Sequence, residues 1–170
     1  MKKSHTALVT GIVAALAVTA IPAAVAAHNA GQRTAANCTR NQLTVRANGT
    51  EGTAGTIHGA WVFTNRSGTS CQLYGYPDMQ LYNKGGQPIP TTVKHNLPPG
   101  PSHVTLAPGG SGTFYSSYSD VSSTSHPCPK SAVAEITAPN ASASLFIPAQ
   151  LQPCRGIVNV SAVLPGVHHA

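Results

Sequence analysis

Charged residues make up 8% of this 170-residue chain, and only four are acids: Glu51, Asp78, Asp120 and Glu135. Glycoside hydrolysis uses two carboxyl groups flanking one bond. Here Asp78 follows a Gly-Tyr-Pro bend and Glu135 alternates outward in a strand pattern, so the four read as solvated surface acids. Basic residues are sparse as well. Beyond Lys2 and Lys3 they are Arg33, Arg40, Arg46, Arg66, Lys84, Lys94, Lys130 and Arg155, each standing alone. No basic stripe forms, and nucleic-acid binding needs one. There is no Cys-x-x-Cys, and Met79 is the only methionine after Met1. A blue-copper centre wants a cysteine, two histidines and usually a methionine, and no histidine follows a cysteine at short spacing. The stretch Gly109-Gly110-Ser111-Gly112 lacks the last glycine of a nucleophile elbow, since Thr113 stands there, and a strand pattern follows where the motif needs a helix. These absences argue against an enzyme, a cofactor and a metal. Two alternatives stay open: a small exported hydrolase, and a metal-binding protein using His95 and His103, which flank a proline-rich loop.

The first residues carry an address. Lys2 and Lys3 precede an apolar run from Ala7 to Ile21, then Pro22-Ala-Ala-Val-Ala26-Ala27. Charge, apolar run and small-residue cleavage site together make a secretory signal peptide over 1–27. The run is too short and too rich in Ala and Thr to favour a membrane span. No cysteine sits at the cleavage point, so a lipid anchor is not expected. Cleavage leaves about 143 residues, enough for one domain with a core of its own. Eight basic residues then face four acids. That small positive excess is compatible with a cell-wall-associated or secreted protein.

Cys38, Cys71, Cys128 and Cys154 all lie beyond the leader. An even count in an exported chain argues for two disulfides, and the count alone permits three pairings. Their layout suggests one local pair in each half. Cys38 precedes the first strand, and Cys71 follows the turn Asn65-Arg66-Ser67-Gly68. Cys128 follows a polar loop over 122–127, and Cys154 sits in a Pro-Cys-Arg-Gly turn before the last strand. The expectation is Cys38 with Cys71 and Cys128 with Cys154.

Residues 28–36 read as a flexible lead. After them apolar residues recur with period two, broken by Gly, Pro, Asn and Ser. Leu43, Val45 and Ala47 alternate. Ile57, Trp61 and Phe63 share one face of a longer strand, with Ala60 and Val62 on the other. Similar runs surround Met79 and Leu81, Val104 and Leu106, residues 112–119, Ala134 and Ile136, Leu145 and Ile147, and Val158 and Val160. About eight short strands with frequent turns predict an all-β, immunoglobulin-like antiparallel sandwich over 37–165. Residues 166–170 read as a disordered tail. The turn at Asn65 predicts that the strand before it reverses directly into one starting at Cys71. Pro98-Pro99-Gly100-Pro101-Ser102 cannot join a sheet, for want of N–H donors.

The run Trp61-Val-Phe-Thr-Asn65, Ser67-Gly68, Cys71-x-Leu73-x-Gly75-Tyr76-Pro77, with Leu81, Gly85-Gly86 and a later Leu106-x-Pro108-Gly109, resembles an exported actinobacterial family catalogued as domain of unknown function 4232. The resemblance covers Cys38 to Val163. It implies a β-sandwich and an envelope or secreted address, and no activity. What the residues themselves offer for binding is tyrosine, apolar in body and polar at the tip. Tyr74, Tyr76, Tyr82 and Tyr115 are the candidate contacts with an envelope protein or glycan, while Tyr76 and Tyr118 also suit a corner or the core. A monomer is expected.

Overall fold

The computed structural model describes residues 35–123, 128–141 and 144–170. The expected signal peptide, 1–27, and nearly all of the expected lead lie outside them. The described chain is all-β. Its strands are β1 (Leu43–Thr53), β2 (Thr56–Asn65), β3 (Cys71–Tyr74), β4 (Asp78–Tyr82), β5 (Pro88–Ile89), β6 (Thr92–Leu97), β7 (His103–Leu106), β8 (Ser111–Ser119), β9 (Val133–Thr137), β10 (Ser144–Pro148), β11 (Ile157–Ser161) and β12 (Leu164–Pro165). One sheet runs β1-β2-β8-β11-β6, with β12 also paired to β8. A second runs β10-β9-β4-β5, and β3 pairs with β7 in a two-stranded ribbon. Pairing is antiparallel except between β6 and β11, which run parallel.

The alternation in β2 is what places the core. Trp61 and Phe63 point inward and stack with Phe114 of β8 at centroid separations of 6.2 and 5.4 Å. The indole N–H of Trp61 donates to Ser116 Oγ at 2.9 Å, so the buried ring leaves no polar atom unpaired. Leu73, Leu81, Val104, Leu106, Ile136, Val158 and Val160 complete one core shared by both sheets and the ribbon. Each large side chain withdrawn fully from water contributes about 1.5–3 kcal/mol.

β1 and β2 form a hairpin closed by Ala54 and Gly55, both at positive φ (48° and 80°). That pair of angles is the mirror-image turn whose twist suits a two-residue hairpin loop. The strand exit at Asn65 behaves otherwise. The expected hairpin from β2 into β3 does not form: β2 pairs with β1 and β8, and β3 pairs with β7. The turn instead carries the chain out of the large sheet. Its anchor is Asn65, fully buried. The Asn65 amide nitrogen donates to the carbonyls of Thr69 and Leu106 at 2.8 and 2.9 Å. Its Oδ1 accepts from the Ser67 N–H and hydroxyl at 3.0 and 2.7 Å.

Both expected disulfides are present, Cys38–Cys71 and Cys128–Cys154. Beside the first, the Cys38 N–H donates to Gln72 O and the Gln72 N–H to Ala36 O, a short parallel bridge along β3. Ala36, assigned to a flexible lead, is therefore docked. The tail is a second correction. Residues 166–170 are not free: Thr113 Oγ1 donates to Gly166 O at 2.8 Å, the His168 N–H to Thr113 Oγ1 at 3.1 Å, and Asn48 Nδ2 to His168 O at 2.7 Å. Thr113 is the cross-strand partner of Val62. Ala60 and Val62, on the face of β2 away from Trp61, are buried at 0% and 1% exposure. The tail thus straps the outer face of the large sheet.

Two stability measurements follow from these contacts. Each disulfide closes a loop, with sequence separations of 33 and 26. The chain-entropy model assigns about 3.5 kcal/mol to each, so urea unfolding of a Cys38→Ser/Cys71→Ser variant should show a loss of that order. Asn65→Ala leaves the buried Leu106 carbonyl without this donor and frees the turn, and should cost about 1–3 kcal/mol. Asn65→Asp keeps the shape but turns a donor toward carbonyl oxygens into an acceptor; it should destabilise at least as much at neutral pH. An Asp variant as stable as the native protein would show that the amide donor is not what holds the turn.

Candidate functional site

β3 pairs with β7 so that Tyr74 stands directly opposite His103. Leu73 and Val104 face the core, which sends Tyr74 and His103 to the outside. Their rings stack with centroids 4.4 Å apart and planes at 27°. Two residues on, Tyr76 stacks on His95 of β6, with centroids 4.8 Å apart and planes at 4°. Tyr76 is half-buried against the core, and His95 lies over it from the edge strand of the large sheet.

The backbone that presents these rings is fixed. Gly75 has φ of 108°, a region open to glycine and rare for other residues. Its carbonyl accepts from the Val163 N–H, and the Ala162 N–H donates to Pro99 O in the proline loop. One corner of the chain, between β11 and β12, therefore pins both the tyrosine bend and the loop that joins His95 to His103. The hydroxyls of Tyr74 and Tyr76 and the ring nitrogens of His95 and His103 have no hydrogen-bond partner among the described residues. The arrangement offers two flat aromatic stacks with four unengaged polar tips.

The four candidate tyrosines do not share one surface. Tyr74 and Tyr76 flank Gly75, each stacked on its own histidine. Tyr82 lies on the outer face of the smaller sheet, where its hydroxyl donates to the Glu135 carboxylate at 2.6 Å and its ring tilts against the exposed Phe146. Tyr115 lies on the outer face of the large sheet opposite Ala60. Tyr118 is buried in the core. His95 and His103, weighed as a metal pair, are each stacked on a different tyrosine. Among the described residues no group of three or more His, Cys, Asp or Glu side chains converges on a metal position. The stacking role of the two histidines was hidden in the sequence. It depends on the β3–β7 and β6–β11 registers, and no local pattern announces either.

Two phenols titrate late. The hydrogen bond to Glu135 raises Tyr82 above the ordinary tyrosine range, with smaller contributions from burial and from the carboxylate charge. Burial raises Tyr118; a hydrogen bond with the Gln152 backbone opposes this, and Asp120 adds to it.

Comparison with known families matches residues 38–164 to the family described as Domain of unknown function (DUF4232). No curated protein and no solved structure matches the chain.

Alkaline titration followed by tyrosinate absorbance should resolve Tyr82 and Tyr118 above about pH 10, the ordinary tyrosine value. Glu135→Gln should bring the Tyr82 step down and leave that of Tyr118 in place. A folded-state pKa above the unfolded one gives stability that is complete below the unfolded pKa and lost as pH rises through the folded one. The Tyr118 contribution should therefore persist to about pH 10 and fall beyond it; Tyr118→Phe should remove that part of the alkaline decline.

Proposed function

The chain belongs to the DUF4232 family, a domain of unknown function, and from its own surface we propose that it is an exported, non-enzymatic binding module of the cell envelope. The leader-like first 27 residues, the two disulfides and the absence of a long apolar helix among the described residues support the address. The observation that carries the reading is the pair of tyrosine–histidine stacks with unengaged tips. Flat rings with polar edges suit the faces of sugar rings, whose C–H groups pack on aromatic carbon while their hydroxyls bond to the tips. The ligand class proposed is an envelope glycan.

The acids support a non-enzymatic reading. Asp78 and Glu135 lie diagonally across β4 and β9. Glu135 already accepts from Tyr82, and Asp78 Oδ1 accepts from the Met79 N–H at 2.8 Å. Ser111 Oγ is hydrogen-bonded to the Thr64 hydroxyl, which is no general base.

Co-sedimentation of the protein, with residues 1–27 removed, on purified peptidoglycan sacculi tests the reading. The native domain should pellet with the glycan, and Tyr74→Ala or His103→Ala, both at exposed positions, should weaken retention at least fivefold. A native domain that stays in solution, or variants that bind as well as it does, would refute the assignment.

A further inference from the structure

A cleft of about 640 Å³ opens at the end of the smaller sheet, away from the tyrosine–histidine stacks. It is lined by Asn83, Lys84 and Gly85, by Lys130 to Ala132, and by residues 148–150. Three segments meet there: the β4–β5 turn, the approach to β9 and the exit from β10. Its volume falls in the range of small-molecule sites. Three of its lining residues are apolar: Ala132, Pro148 and the buried Ala149. Its charged lining is of one sign, Lys84 and Lys130, and none of the chain's four acids is among the lining residues. Neither ammonium has an ion-pair or hydrogen-bond partner among the described residues.

The backbone under each lysine is held in place. Asn83 Oδ1 accepts from the Gly85 and Gln87 N–H groups at 2.8 and 3.0 Å, fixing the turn that carries Lys84. Next to Lys130, the buried Ser131 hydroxyl donates to Ala149 O at 2.6 Å and accepts from the Leu151 N–H at 2.9 Å. The Ala132 N–H donates to Tyr82 O, and the Ala149 N–H to Ala132 O, so all three segments are tied together. Two residues before Lys130, the Cys128–Cys154 bridge anchors the approach. Two cations at fixed roots beside apolar lining residues suit the chemistry of an anionic headgroup on an apolar body.

We propose that this cleft binds a small organic anion, its headgroup between Lys84 and Lys130 and its apolar part against Ala132, Pro148 and Ala149. An inorganic anion would satisfy the charges and leave the apolar lining wet; a neutral apolar molecule would do the reverse.

Amide chemical-shift titration separates these cases, with sodium hexanoate, hexanol and inorganic phosphate as probes. Hexanoate should shift Gly85, Ala132 and Ala149 saturably, at least fivefold more tightly than phosphate or hexanol. The Lys84→Gln/Lys130→Gln variant should weaken hexanoate at least tenfold, and Lys94→Gln, on β6, should not. Still resonances, equal affinity for phosphate and hexanoate, or undiminished binding by the double variant would each overturn the proposal. The outcome is independent of the glycan reading, whose variants lie in β3 and β7.

Discussion

Asn65 sits where three segments from different parts of the fold come together, and its side chain is wholly shielded from water. It ends β2, binds Ser67 and Thr69 in the turn that follows, and reaches the carbonyl of Leu106 at the end of β7. Its backbone adds bonds to Gly109 and Gly110 in the turn that opens β8. An amide has both donor and acceptor, and here both are used, by turn groups at Ser67 and Thr69 and by the buried carbonyl of Leu106. The large sheet, the ribbon and the turn between β7 and β8 are all positioned from this point. Because the ribbon is positioned, so is the strand register that sets Tyr74 opposite His103.

Alternation made most of the core legible in the sequence. Trp61, Phe63, Leu81, Ile136 and Val160 are inward where period two put them. The pairing partners were not legible. A turn signal such as Asn65-Arg66-Ser67-Gly68 reports local backbone geometry, and whether the next strand pairs with the last is decided by distant residues. β6 is unmarked in the sequence for a related reason: Thr92–Leu97 is an edge strand with mostly exposed side chains, so it has no apolar rhythm. The tail looked disordered because its composition is bland. What orders it is a set of hydrogen bonds to Asn48 and Thr113, more than fifty residues earlier in the chain.

The same distinction governs the sites. Tyr74 and Tyr76 could be chosen by residue type, but their histidine partners lie on other strands. The cleft between Lys84 and Lys130 had no trace at all in the sequence, where both lysines were isolated charges. It exists because Asn83 and Ser131 spend their side chains on backbone groups and hold three chain segments in contact. Scarcity of acid matters here in a positive sense: with only four carboxylates in the chain, a lysine can stay unpaired without being exceptional.

The placement of the two bridges also decides how the domain bears tension. A pull entering the chain at Asn37 passes through the Cys38–Cys71 sulfurs into β3, so β1 and β2 lie in a side loop that carries no load directly. The Cys128–Cys154 bridge does the same for β9 and β10. At roughly 3.4 Å per extended residue, the two loops withhold about 200 Å of contour length from any stretching force. A domain tethered at one end to a cell surface and held at the other by a ligand would lengthen only through β3–β8, β11 and β12, and would keep the remaining strands as slack that force cannot reach.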